Sequence, residues 1–157
     1  AIGCTEPIAV ALCTARAAEL LGSRPEKVAV RLSANILKNA MGVGIPGTGM
    51  IGLPIAVALG ALVGRSEYRL EVLRDVTPGA VEQGCRYIDE KRVCIDLKQG
   101  IAEKLYIEVE ARGAGHCATA IGSVHPMAGT TSRLMRAMIR FRSFWDNMDV
   151  FLRMLQR

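Results

Sequence analysis

Residues 33–54 read SANILKNAMGVGIPGTGMIGLP and decide how this chain folds locally, because five glycines fall within the eleven residues 42–52. Glycine permits positive φ angles and lets a ligand approach the backbone closely, while Pro46 and Pro54 limit the entropy lost when the loop is ordered. A loop of this kind exposes backbone N–H groups, which favour an anion. We therefore predict a small-molecule anion site here.

The segment before the loop adds polar side chains to this predicted site. Asn35, Lys38 and Asn39 are spaced i, i+3 and i+4, so one helical turn places an ammonium and two amides on one face. The loop residues predicted to bind the same carboxylate are Gly44, Gly47, Thr48 and Gly49. A solvated helix face would also explain the first three residues, and Thr48 also fits ordinary hydrogen bonding within a turn.

Hydrophobic periodicity and capping residues predict an α+β fold in the order α-β-α-α-α-β-β-β. The predicted helices, counting a short one after residue 65, cover residues 7–21, 35–41, 54–63, 66–72 and 78–90. The predicted strands cover residues 27–33, 91–98, 105–111 and 116–124. With Gln99 and Gly100 in the connection, the second and third strands are predicted to form a hairpin, so the sheet of about four strands should be mostly antiparallel.

Composition indicates one globular body, because 50% of the 157 residues are hydrophobic and 22% are charged. The net charge of +5 is uneven: residues 1–125 hold 14 Lys and Arg against 13 Asp and Glu, and residues 126–157 hold 6 against 2. A nearly neutral body argues against nucleic acid as a partner. No apolar run reaches the ~20 residues of a membrane helix, so we expect no membrane span.

Two glycine motifs within the loop are interpreted as chance matches. Residues 42–47 fit the dinucleotide fingerprint, but they follow a predicted helix and not a strand. Residues 44–47 and 49–52 fit the clamp of a KH-type RNA-binding module, but no basic stripe accompanies them.

Residues 126–157 differ from the body, because they contain all three Phe, the one Trp and five of the seven Met. Apolar residues recur there at helical spacing, which predicts a basic amphipathic helix beginning near Ser132. One hypothesis is that this divergent tail docks on a partner or an anionic surface.

Cys4, in the stretch GCTEP at residues 3–7, precedes a predicted helix whose N-cap is Thr5. The positive end of a helix stabilises a thiolate and favours nucleophilic, basic or ligand chemistry, although Glu6 opposes this effect. A small buried thiol is the plainer interpretation of Cys4, and it is the one we adopt for Cys13. The five cysteines include no CxxC pair, which predicts a reduced cytoplasmic location.

The remaining titratable residues carry weaker signals. The spacing of Cys85, Cys94 and Cys117 matches no compact set of ligands for an iron–sulfur cluster. His116 and His125 fit proton transfer because imidazole titrates near neutrality, but a structural role explains them at least as well.

Four stretches resemble the amino-terminal half of the L-cysteine desulfidase family, of UPF0597 type, which is related to the alpha chains of iron–sulfur L-serine dehydratases. They are GCTEPIAVAL, SANILKNAMGVGIPGTGMIGLPIAVALGAL, LEVLRDVTP and the Gly-His pair at residues 115–116. The resemblance covers residues 1–125 and implies a cytoplasmic lyase. Such a lyase eliminates sulfide from L-cysteine, or water from L-serine, to give pyruvate and ammonia.

The resemblance also implies roles and partners. Cys4 would be the base at the substrate Cα or a contact, including a ligand, at a [4Fe–4S] cluster whose iron polarises the leaving group. Most cluster ligands would come from a carboxy-terminal domain or a second chain, with a homo-oligomer as one arrangement, so we expect this chain to be an inactive fragment of a longer enzyme. The alternative is a non-catalytic module that binds a small anion or an amino acid through the glycine loop.

Overall fold

The computed structural model describes residues 5–102 and 104–123, and it has the predicted α+β class and element order. The helices are α1 (Thr5–Leu21), α2 (Ala34–Ala40), α3 (Leu53–Leu62) and α4 (Pro78–Asp89). The strands are β1 (Lys27–Leu32), β2 (Val93–Leu97), β3 (Tyr106–Gly113) and β4 (His116–Ser123). The predicted tail at residues 126–157, with its amphipathic helix, lies outside the described residues.

The four strands form one sheet in the order β2-β1-β3-β4, and it is mostly antiparallel as predicted. Strand β1 pairs in parallel with β2 and antiparallel with β3, and β3 pairs antiparallel with β4. The predicted hairpin between the second and third strands is therefore wrong, because β1 lies between them.

The burial of β1 explains this arrangement. Val28, Val30 and Leu32 are each at most 1% exposed, so β1 is a central strand whose two edges both need hydrogen-bonded partners. At its carboxyl end, Lys98 N–H donates to Leu32 O at 2.8 Å and Ser33 N–H donates to Tyr106 O at 3.0 Å. The connection after β2 thus carries the chain across β1 and does not form a tight turn.

The hairpin of this sheet joins β3 to β4 through Ala114 and Gly115. Their φ angles are 51° and 76°, the positive values that a two-residue turn between antiparallel strands requires. Gly113 pairs with His116 at the base of this turn.

The helices α1 and α3 cover one face of the sheet, and α4 packs against α3. One apolar cluster lies between these helices and the inward side chains of β1, β3 and β4. A second cluster joins α1, α3 and α4 to Ile45 of the glycine loop. No helix within residues 5–102 and 104–123 is long and apolar enough to cross a membrane.

The short helix predicted at residues 66–72 is a 3₁₀ segment, Ser66–Glu71, which is kinked at Arg69 (φ 52°). Arg65 precedes the segment as its N-cap residue and makes no side-chain capping hydrogen bond. Ser66 N–H instead donates to Glu19 Oε1 at 2.8 Å, which ties the segment to the last turns of α1.

Helix α4 begins at the predicted residue, Pro78, and ends at Asp89, one residue before the predicted end. Thr77 caps it by accepting a hydrogen bond from Ala80 N–H at 3.2 Å, and Pro78 occupies the first turn. Near its carboxyl end, the buried Tyr87 donates its hydroxyl to Pro25 O at 2.8 Å, which joins α4 to the segment before β1.

This hydrogen bond predicts a measurable dependence of stability on alkaline pH. Burial raises the pKa of Tyr87 from 10.0 to about 12, with Arg92 and Arg24 acting in the opposite direction. Because the folded state favours the protonated phenol, its contribution is complete below pH 10 and is lost as the pH rises towards 12. Urea denaturation between pH 7 and pH 12 should show this loss for the native chain.

The matched variant is Tyr87→Phe, which removes the titrating hydroxyl and keeps the ring. It should cost about 1 kcal/mol at pH 7 through the lost hydrogen bond. Above pH 10 its stability should fall less steeply than that of the native chain. Parallel curves for the two proteins would contradict this account of Tyr87.

Candidate anion-binding site at the glycine-rich loop

The glycine loop, residues 42–52, is a closed and internally bonded turn. Thr48 N–H donates to Ile45 O at 3.2 Å across Pro46 and Gly47, and Gly47 has a φ of 77°. Proline followed by a residue of positive φ is the arrangement of a type II turn. The sequence predicted the glycines and the proline as an ordered loop, and this turn gives the physical reason for both.

Two further hydrogen bonds fasten the arms of the loop to each other. Ile45 N–H donates to Met50 O at 2.9 Å, and Gly52 N–H donates to Val43 O at 2.9 Å. Gly44 and Ile51 form an isolated antiparallel bridge between these bonds. The loop is consequently a short β-ladder closed by a turn.

The hydroxyl of Thr48 is used inside this turn. It donates to Ile45 O at 2.8 Å and accepts from Met50 N–H at 3.0 Å. Since a hydroxyl has one proton to donate, Thr48 shapes the loop by the turn bonding that the sequence allowed as an alternative.

The internal bonds leave a specific set of amides for a ligand. The N–H groups of Ile45, Thr48, Met50 and Gly52 all donate within the loop, and Val43 N–H donates to Ala40 O at the end of α2. Within the part of the chain that the structure describes, the exposed amides with no hydrogen-bond acceptor include those of Gly44, Gly47 and Gly49. These are the three glycines predicted to contact the anion.

The loop is fixed to the apolar core by two of its side chains. Ile45 is 3% exposed in the second apolar cluster, and Met50 packs against the same cluster. The Cys85 Sγ lies 3.5 Å from the Met50 Sδ, which joins the loop to α4. The exposed glycine amides therefore belong to a loop that is packed firmly against the core.

Helix α2 presents its predicted binding residues to solvent. Asn35, Lys38 and Asn39 are all exposed, whereas Ile36 and Ala40 are buried. The helix ends at Ala40, where the loop begins, so Lys38 lies in the last turn before the glycines. Its charge complements the negative carboxyl end of α2, which would otherwise repel an anion at the loop.

Helices α1 and α3 lie side by side and run in the same direction. A Cβ added to Gly60 would lie 2.5 Å from the carbonyl oxygen of Ala11, and one added to Gly64 would lie 3.0 Å from the Ala15 Cβ. Residues later in α1 therefore contact residues later in the chain around α3. The same order continues to Glu19 near the end of α1, which bonds Ser66 of the 3₁₀ segment. The pair is parallel and closely packed through small residues.

This parallel packing brings two helix amino ends together. Counting back from the Ala11–Gly60 contact, α1 begins six residues earlier and α3 seven residues earlier, about 9 and 10 Å at 1.5 Å per residue. The first residues, Thr5 and Leu53, thus lie at similar heights along the pair, and the glycine loop leads directly into α3. Each amino end contributes about half a positive charge, so their shared end attracts anions.

Cys4, the predicted catalytic residue, lies outside the described residues. In the sequence it directly precedes Thr5, the first residue of α1.

Cys13 is a core residue, as predicted. Its side chain is fully buried, its thiol donates to Ala120 O at 3.4 Å, and burial raises its pKa far above the usual range. A thiol in this state is protonated and inert.

The other described cysteines do not form a cluster site. Cys94 and Cys117 are exposed on β2 and β4, which are the two edge strands of the sheet, and Cys85 lies on α4. The pKa of Cys94 is raised, first by its hydrogen bond to Asp96, and that of Cys117 is raised, first by partial burial. Within residues 5–102 and 104–123, no three His, Cys, Asp or Glu side chains come close enough to hold a metal ion.

An iron–sulfur cluster therefore does not fit the described cysteines, since such clusters are held by about four thiolates. His116 is exposed at the start of β4, and His125 lies outside the described residues.

Sequence reasoning missed the feature that aligns the helices. The predicted helix at residues 54–63 contains Gly60 and ends directly before Gly64, and neither glycine was given a role in packing. The signal was present, because Gly60 and Gly64 are four residues apart, as are Ala11 and Ala15. Small residues at this spacing form a flat stripe along which two helices approach closely.

The fold and the loop define an α+β domain with a candidate site for a small anion at the shared amino end of two helices. Over 121 residues, which are 77% of this chain and 28% of the relative, it is 74% identical to a UPF0597 protein of Bacteroides fragilis. A UPF0597 protein of Bacteroides thetaiotaomicron shows the same identity and coverage. Another, from Oleidesulfovibrio alaskensis, is 50% identical over 121 residues, again 77% of this chain and 28% of the relative.

These similarities support the UPF0597 family named from the motifs. No protein-family profile matches the chain. The chain spans about 28% of the length of these curated relatives. Their names carry no enzyme class, so the lyase activity stays a prediction.

Proposed function

We propose that the full-length protein is a lyase that eliminates sulfide from L-cysteine, or water from L-serine, and that the described domain binds the substrate carboxylate. The observation that carries the proposal is the parallel packing of α1 and α3. It points the amino ends of both helices in the same direction, and the glycine loop leads directly into one of them.

The carboxylate would be held by hydrogen bonds and by charge. The free amides of Gly44, Gly47 and Gly49 donate to it, and Lys38 supplies a full positive charge beside the loop. Because the loop is closed by internal bonds and fixed by Ile45, these donors lose little entropy on binding.

The chemical step needs a base near the substrate Cα. In the proposed mechanism the Cys4 thiolate, stabilised by the amino end of α1, removes the Cα proton while sulfide or hydroxide leaves from Cβ. The resulting enamine takes up water and releases ammonia and pyruvate. The alternative role of Cys4 in this proposal is a contact near an iron–sulfur cluster, and any cluster would need ligands from beyond the described residues.

Lys38 provides the experiment that tests the binding step. In an anaerobically purified full-length relative, Lys38→Gln at the matching position should raise KM for L-cysteine or L-serine by about tenfold, with a smaller change in kcat. A hydrogen bond to a charged group is worth about 1.5–3 kcal/mol, and the exposure of Lys38 places its effect at the low end.

Lys104→Gln is the matched control, because Lys104 is also an exposed lysine but precedes β3 and not the loop. It should leave KM unchanged. Equal KM values for the Lys38 variant and the native enzyme would reject the carboxylate site. Binding of either amino acid without pyruvate formation would favour the alternative of a non-catalytic binding module.

A further inference from the structure

A polar groove lies along the carboxyl-terminal half of α4. Its volume is about 300 Å³, at the lower end of the range for small-molecule sites. It is lined by Arg24, Gln83, Arg86, Tyr87 and Glu90. Four of these residues follow helical spacing on one face of α4, and Arg24 comes from the segment between α1 and β1.

The walls of the groove are fixed to each other by hydrogen bonds. Tyr87 donates its hydroxyl to Pro25 O at 2.8 Å, directly after Arg24 in the chain. Arg92 Nη1 donates to Glu26 O at 3.1 Å, and Val28 N–H donates to Arg92 O at 2.8 Å. The segment that carries Arg24 is therefore held against the carboxyl end of α4 before any ligand arrives.

The charges inside the groove are not balanced. Among residues 5–102 and 104–123, the side chains of Arg24 and Arg86 form no hydrogen bond and no ion pair. The one carboxylate of the lining, Glu90, is already paired with Arg92 Nε. Two guanidinium groups thus face the groove without a protein anion.

Neighbouring groups affect the positive charge of the groove. Arg86 lies in the last turn of α4, where the negative end of the helix offsets part of its charge. Arg24 lies on no helix, and its positive field acts on the Tyr87 phenol and lowers its pKa against the larger effect of burial. The hydroxyl proton of Tyr87 is committed to Pro25 O, so the arginines and Gln83 remain as donors.

We propose that this groove binds a phosphate dianion, either free or as the phosphate group of a small metabolite. Guanidinium is planar and presents paired N–H donors that match two phosphate oxygens at once. The two arginines that line this groove supply the two positive charges that a phosphate dianion needs.

The test uses the 157-residue chain and titration with inorganic phosphate, followed by calorimetry and by the backbone NMR signals of residues 83–90. Arg24→Gln and Arg86→Gln should each weaken phosphate binding by at least about tenfold, as expected for a lost hydrogen bond to a charged group. Lys104→Gln, which removes an exposed charge before β3, should bind phosphate as the native chain does. Circular dichroism confirms that each variant is folded.

Glycerol 3-phosphate distinguishes the two sources of phosphate, because tighter binding than inorganic phosphate points to a metabolite and equal or weaker binding points to the free ion. Three results would overturn the proposal. They are no phosphate binding by the native chain, unchanged binding by both arginine variants, or a loss of binding with Lys38→Gln alone, which would place the anion at the glycine loop. Binding of a glutamate-rich peptide but not phosphate would also overturn it, in favour of a macromolecular partner.

Discussion

Replacing Gly60 by alanine is expected to destabilise the domain by about 3 kcal/mol. The added Cβ would lie 2.5 Å from the carbonyl oxygen of Ala11 and 3.1 Å from its Cα. Both atoms belong to the backbone of α1, so the clash can be relieved only if the two helices move apart. That movement opens the apolar clusters on both sides of the pair. Urea denaturation of the purified chain at neutral pH measures the effect.

Gly79→Ala is the matched control, since it is the same substitution in a helix. The nearest atom to its added Cβ is the Thr77 Oγ1 at 4.0 Å, an ordinary contact. Because alanine favours helix over glycine, this variant should be as stable as the native chain or more stable, by up to about 1 kcal/mol. Similar losses in both variants would contradict the close parallel packing of α1 and α3.

Local signals in the sequence were sufficient to locate the helices and strands. Thr77 and Pro78 identified the start of α4, because a cap side chain and a proline in the first turn serve only one end of a helix. The alternation of Val28, Val30 and Leu32 identified β1, because a strand with one buried face must repeat every two residues. These signals depend on neighbouring residues alone.

The pairing of the strands could not be predicted in the same way. The hairpin between β2 and β3 was predicted because the two strands are consecutive in the chain. Consecutive strands do not pair with each other when a buried strand such as β1 lies between them and takes a partner on each edge. Which strand lies at the centre depends on burial, and burial depends on the complete sheet. The sequence did contain a signal for the observed hairpin, because Ala114 and Gly115 separate β3 and β4 by the two residues of a tight turn.

The sequence predicted an ordered glycine loop at residues 42–52 but not the geometry of that loop. The glycine pattern indicated exposed amides, and the structure shows why only some of them can be free: the loop closes on itself between Val43 and Gly52. The side-by-side amino ends of α1 and α3 follow from contacts near Gly60, far along the chain from the loop. No local pattern around residues 42–52 reports that contact.

Replacing Cys4 by alanine should have the largest effect on activity. If its thiolate removes the Cα proton, the variant loses general-base catalysis, which is worth about 10²–10⁴ in rate. The loss should appear in kcat, while KM, which depends on the glycine loop and Lys38, changes little. Cys13→Ala is the matched control, because that thiol is buried against Ala120 and should affect stability without lowering kcat.

The most direct measurement is pyruvate formation by an anaerobically purified full-length relative with alanine at the position that matches Cys4, beside the Cys13 control. The account predicts that kcat falls at least a hundredfold in the first variant and is retained in the second. Undiminished pyruvate formation by the Cys4→Ala enzyme would contradict the proposed catalytic role of Cys4.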